Sequence, residues 1–137
     1  MSFLLDTNVV SELRKGSRAD VNVRRWFEAV ADDTLHLSVL VVGELRQGIE
    51  RCRRRDPKSA MHLELWLEKL VDRYEDRIIA VDAAVAEVWG RLNVPDPLPA
   101  VDGLLAATAL VHDMVLVTRN TGDVRRCGVP LVNPFER

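Results

Sequence analysis

Four acidic residues, Asp6, Glu44, Asp102 and Asp123, each fall where a strand or a strand-following helix would meet solvent. Asp6 closes the short apolar run Phe3-Leu4-Leu5, and the segment Thr7-Asn8-Val9-Val10-Ser11-Glu12-Leu13 behind it has helical spacing. In α/β proteins the carboxyl end of a strand is where ligands and metals usually bind. Carboxylates converging there would suit a hard divalent cation, because Mg²⁺ and Mn²⁺ take oxygen donors. Singly, three of the four have plainer readings: Asp102 as a helix N-cap, Glu44 as a solvated helix residue, Asp123 as a turn residue. Asp6 is harder to explain that way, since Asp-Thr-Asn directly after an apolar strand is unusual for simple capping.

The elements that must position these residues alternate along the chain. Strands are expected at 2–5, 35–38, 78–81, 114–117 and 131–132. The run at 78–81 is rich in β-branched residues. Between them lie helical patterns: 6–14 with Val9, Val10 and Leu13 inward, then Val23, Trp26, Phe27 and Val30 at i, i+3, i+4, i+7. A helix is expected over Val39–Arg53, followed by a stripe of Leu63, Trp66, Leu67, Leu70, Val71 and Tyr74. Two more follow, one with Val85, Val88, Trp89 and Leu92, and one over 102–112 that is apolar almost all round. Pro95-Asp96-Pro97-Leu98-Pro99 between them is a stiff loop. Strands separated by helices imply parallel crossovers, hence a three-layer α/β/α sandwich with a short, mostly parallel central sheet. No repeat, linker or low-complexity tract divides the chain, so residues 1–137 are expected to form a single domain.

Composition sets milder limits. The chain has 137 residues, enough to bury about two-thirds of its unfolded surface. No apolar run approaches the roughly 20 residues a membrane span requires. The first residues enter a strand without a basic, apolar and cleavage-site series, so no secretion signal is expected and the cytoplasm is the natural location. Cys52 and Cys127 lack metal-like spacing and read as reduced thiols. His36, His62 and His112 share no motif and read as structural or surface residues. The net charge of −2 does not announce a nucleic-acid partner. Arginine nevertheless outnumbers lysine, and Arg51, Arg53, Arg54 and Arg55 cluster. Their planar forks suit phosphate, although a solvated helix end explains them equally well.

Four segments in order resemble one family. Leu4-Leu5-Asp6-Thr7-Asn8-Val9-Val10-Ser11-Glu12-Leu13 resembles the opening motif of PIN domains, especially the VapC and FitB-like toxins of bacterial toxin–antitoxin pairs. Leu37-Ser38 with Gly43-Glu44-Leu45-Arg46-Gln47-Gly48-Ile49, Asp102-Gly103-Leu104-Leu105-Ala106-Ala107-Thr108-Ala109, and Thr118-Arg119-Asn120 with Asp123 continue the likeness. It covers essentially the whole chain. Any one motif is weak, whereas four in order are strong.

The resemblance implies that Asp6, Glu44, Asp102 and Asp123 form an acidic quartet binding Mg²⁺, with Mn²⁺ able to substitute. Asn8, Thr118 and Asn120 match the supporting polar positions. It further implies a metal-dependent ribonuclease toxin, often acting on tRNA, that forms a homodimer and is neutralised by a VapB-like antitoxin. Many relatives carry a larger residue at the position of Gly103, and Gly122 loosens the segment before Asp123. The stripe Leu63, Trp66, Leu67 and Leu70 is either the dimer surface or a face that covers the sheet. Two alternatives stand beside this reading. A phosphate-accepting receiver module would want paired acids after the first strand and a late lysine, but the last lysine is Lys69. A PIN-like RNA- or partner-binding module without catalysis would differ only in activity.

Overall fold

The computed structural model describes residues 1–137 and has a five-stranded parallel sheet at its centre, in the order β3-β2-β1-β4-β5. The strands are β1 (Phe3–Leu5), β2 (Leu35–Ser38), β3 (Ile78–Ile79), β4 (Val115–Val117) and β5 (Leu131–Val132). Seven helices join them: α1 (Thr7–Leu13), α2 (Val21–Ala29), α3 (Val39–Arg53), α4 (Pro57–Arg73), α5 (Ala83–Leu92), α6 (Ala100–Val111) and α7 (Thr121–Val124). β1 is the middle strand, and its three residues are all buried. That explains the unbroken apolar run, since a parallel strand covered on both faces has no polar side.

The order carries the main functional consequence. From β1 the chain moves outward through β2 to β3, then returns to β4 and moves the other way to β5. Phe3, Leu4 and Leu5 therefore pair with Val115, Leu116 and Val117, while Phe3 and Leu4 pair with Leu35 and His36 on the other edge. A crevice opens at such a reversal, outside the carboxyl ends of the two inner strands. Asp6 follows β1 there and Thr118 follows β4.

Local chemistry fixes the helix starts. Asp20, Ser38, Asp56 and Asp82 each accept backbone N–H groups at the head of α2, α3, α4 and α5. Each such cap is worth about 1 kcal/mol, and Pro57 in the first turn of α4 adds a preset φ. The cap at Asp82 also ends β3 early, so the strand expected at 78–81 is only Ile78–Ile79. Helix α6 begins at Ala100, with Pro99 rather than Asp102 at its cap position. Asp102 thus stands inside the first turn, which removes its plainer reading as an N-cap. The segment before Asp123 is not an irregular turn but the single helical turn α7.

The core gathers Leu4, Leu5, Leu35, Leu37, Leu105 and Leu116 with the buried faces of the helices. Leu67 of α4 is buried, and Leu63, Trp66 and Leu70 pack against the core. The α4 stripe therefore faces the core and packs mainly along α3. Trp66 and Leu70 also line a cleft of about 440 Å³ with Val10, Phe27 and Tyr74, and Arg14, Arg24 and Arg73 stand on its rim. Helices α5 and α6 pack closely, because a Cβ at Gly103 would lie 3.2 Å from the Trp89 ring and 3.3 Å from Leu98. A bulkier residue there would press α5 away from the helix that carries Asp102. No helix is long and apolar enough to cross a membrane.

Candidate active site

Asp6 leaves β1 in an extended conformation, its N–H donating to Val117 O at 2.9 Å. This bond aims the carboxylate into the crevice between β1 and β4. The side chain is only 5 % exposed, so it must be satisfied from within. Oδ1 accepts the Thr7 N–H at 2.7 Å, making Asp6 the N-cap of α1 as well. Oδ2 accepts from the Thr118 hydroxyl at 2.7 Å and from Asn8 Nδ2 at 3.3 Å. Capping and site geometry are thus the same arrangement here, not rival explanations.

A polar frame surrounds that carboxylate. The buried Thr118 hydroxyl donates to Asp6 while accepting the Asn120 N–H at 3.0 Å. Asn8 Nδ2 reaches the same hydroxyl at 3.4 Å, and Asn8 Oδ1 accepts the Arg119 N–H at 3.3 Å. The motif after β1 and the motif after β4 are thereby locked together across the crevice. With its donors fixed, Asp6 has little freedom to rotate.

The other three acids come from three different helices. Glu44, in the second turn of α3, accepts the Thr7 hydroxyl on Oε1 at 2.5 Å. Asp102 lies in the first turn of α6 and Asp123 in α7. Their mutual influence is visible in the Asp102 carboxyl, which is pushed from 3.8 up to about 6. Burial is the largest cause, followed by the charges of Asp6, Asp123 and Glu44. All four acids therefore share one electrostatic neighbourhood.

Their donors are all carboxylate oxygens, the chemistry a hard divalent cation prefers. No three acidic, histidine or cysteine side chains stand close enough together to hold a metal ion between them. An open cluster is compatible with Mg²⁺, which keeps several waters and takes one or two carboxylates directly. The residues present fit such an ion on chemical grounds.

The arginine cluster divides. Arg53 is held by Glu50 at 3.0 Å and Glu64 at 3.1 Å, in a network that Arg46 joins through Glu64 at 2.5 Å and Glu50 at 3.2 Å. Arg51, Arg54 and Arg55 are exposed and form no ion pair. Two residues beside the acids escape a reading of the sequence. Thr7 holds Glu44, a partnership 37 positions apart that no local pattern signals. The guanidinium of Arg119 lies 4.5 Å from the ring centroid of Phe135, beside the frame its own N–H helps to close.

Comparison with known proteins agrees with this geometry. The PIN domain family matches residues 3–128. The VapC ribonuclease Y4jK of Sinorhizobium fredii is 30% identical, over 97% of this chain and 97% of its own. The crystal structure of FitAcB from Neisseria gonorrhoeae superposes with a TM-score of 0.90 at 29% identity, covering 98% of this chain and 99% of that one. A toxin–antitoxin complex from Klebsiella pneumoniae follows at 0.75 and 27%, covering 99% of this chain and all of its counterpart (100%).

Proposed function

Because the chain belongs to the PIN domain family, we propose that it is the ribonuclease toxin of a toxin–antitoxin pair. One PIN domain spanning residues 1–137 hydrolyses RNA phosphodiester bonds, tRNA among the candidate substrates, in the cytoplasm. Mg²⁺ is its cofactor and Mn²⁺ can substitute. A VapB-like antitoxin neutralises it, and the toxin works as a homodimer. The ribonuclease likeness in Sinorhizobium fredii supports the activity, and the toxin–antitoxin complex from Klebsiella pneumoniae supports the partner. The observation that carries the reading is the buried Asp6 carboxylate bonded to Thr118 across the β1–β4 crevice, with the Asp102 carboxyl raised by burial first and then by the charges of Asp6, Asp123 and Glu44. Such clustering without a ligand opposes folding, which makes sense where charge is meant to be neutralised on binding.

Asp6, Asp102, Glu44 and Asp123 are the residues that would hold the cation. When bound, a divalent cation neutralises phosphate oxygens and lowers the pKa of water for in-line attack. The chain's own contribution is placement. Asp6 is immobilised by Thr118, Asn8 and the Thr7 N–H, while the Thr7 hydroxyl sets the Glu44 carboxylate. Asn120 in turn fixes the Thr118 hydroxyl through its N–H. None of these roles needs a histidine base.

The test is direct. End-labelled tRNA and single-stranded RNA should be cut in Mg²⁺ or Mn²⁺, and cutting should stop on adding EDTA. Cleavage that persists in EDTA refutes the metal-dependent mechanism. A panel left intact in both metals refutes the nuclease.

A further inference from the structure

Glu44, held by the Thr7 hydroxyl beside Asp6, places one of the four acids on a face of α3. With 3.6 residues per turn, Gly48, Arg51 and Arg55 follow Glu44 at i+4, i+7 and i+11. Arg51 and Arg55 fall within about 20° of Glu44 around the axis. Arg55 lies just past the helix end at Arg53, where the turn continues through Arg55 N–H and Asp56 N–H donating to Cys52 O. Along the axis the two guanidinium-bearing residues stand about 10 Å and about 16 Å from Glu44.

Two independent features mark this face. The first is a division of labour among the cations. Arg46 and Arg53 are engaged by Glu50 and Glu64, on the side of α3 that meets α4, whereas Arg51, Arg54 and Arg55 are exposed without an ion pair, and of these Arg51 and Arg55 share the Glu44 face. The second is Gly48. Glycine in a helix interior weakens it relative to alanine, and packing gives no reason for it, since a Cβ there would meet nothing within 4 Å. What Gly48 leaves is bare backbone between the acid and the first free cation, where a ligand can approach closely.

We infer that this face of α3, from Glu44 over Gly48 to Arg51 and Arg55, is a phosphate track carrying single-stranded RNA away from the acidic crevice. The inference rests on the ribonuclease reading and adds a direction to it. The scissile phosphate sits at the acids, the strand crosses the bare turn at Gly48, and phosphates a few nucleotides away meet Arg51 and then Arg55. Arg53 takes no part. RNA shorter than the track binds through the crevice alone.

Binding and cleavage test the two readings separately. Affinity of EDTA-treated protein for labelled single-stranded RNA of increasing length is measured across a salt series, and cleavage of the same RNAs is measured in Mn²⁺. Each phosphate contact on single strands contributes about 0.7 to the slope of log K against log salt. Arg51→Ala/Arg55→Ala should therefore lower that slope by roughly 1.4 and abolish the affinity gained by lengthening the RNA. Arg53→Ala should keep the wild-type slope. Gly48→Glu should fold, as its melting transition will report, and bind long RNA at least tenfold more weakly. An unchanged slope in the double variant, an equal loss in Arg53→Ala, or full affinity in folded Gly48→Glu would overturn the track. Wild type that binds with the arginine-dependent slope but cuts no RNA would leave the track standing and remove the nuclease.

Discussion

Replacing Asp102 by Asn should stabilise the metal-free protein at neutral pH, although it removes a residue assigned to the site. The Asp102 carboxyl is raised from 3.8 to about 6 by burial and by three neighbouring acids. At 1.36 kcal/mol per unit the full shift would correspond to about 3 kcal/mol. Asp102 is only partly buried, so solvent screening reduces this to about 1 kcal/mol. Its place in the first turn of α6 opposes the shift, because a negative charge near a helix N-terminus gains about 0.3–1 kcal/mol. The net upward direction means that burial and repulsion win. A carboxyl with a raised folded pKa gives stability that is complete below the unfolded value near 4 and lost as pH rises through about 6. In EDTA the wild type should therefore lose about 1 kcal/mol more than Asp102→Asn between pH 4 and pH 7.5. For a chain of this length that is roughly 3–5 °C in Tm. Mn²⁺ binding the native site should raise the wild-type Tm by mass action and raise the variant's less. The assay is a melting series over that pH range, with EDTA or Mn²⁺ at fixed ionic strength. Parallel curves for the two proteins, with equal responses to Mn²⁺, would refute the idea that Asp102 shares a site with the other acids.

Asp6→Asn keeps the size of the side chain but removes a central anionic oxygen donor, so it should abolish RNA cleavage while leaving a cooperative melting transition. Wild-type cleavage by that variant would remove Asp6 from the mechanism. Gly103→Val should destabilise the fold by about 1–3 kcal/mol through overpacking, since a Cβ already meets Trp89 at 3.2 Å. Chemical denaturation measures this, and a neutral result would mean that α5 can move off α6 freely. Trp66→Glu removes a ring packed against the core and should destabilise by about 2 kcal/mol or more. A folded monomer of normal stability, seen by sedimentation, would instead mark the α4 stripe as the dimer surface.

The sequence by itself was enough for the alternation of strands and helices, because that pattern rests on local rules. The apolar run Phe3–Leu5, the caps at Asp20, Ser38, Asp56 and Asp82, and Pro57 each act within a few residues. The candidates Asp6, Glu44, Asp102 and Asp123 were legible for a similar reason, since each stands in a motif of its own. Boundaries were less so. Cap formation at Asp82 shortened β3 to two residues, and α6 began two residues before Asp102.

What only the tertiary structure decided is how distant segments meet. The reversal of strand order at β1 and β4 brings Thr118 within 2.7 Å of Asp6 across 112 positions, and no periodicity encodes that contact. The bond from Thr7 to Glu44 and the rise of the Asp102 carboxyl depend on the same long-range placement. The arginines make the point most clearly. Four neighbours in sequence look alike, yet the α3–α4 interface gives Arg53 to Glu50 and Glu64 and leaves Arg51, Arg54 and Arg55 unpaired. Helical periodicity puts a side chain on a face, but only packing determines whether that face meets another helix or open solvent.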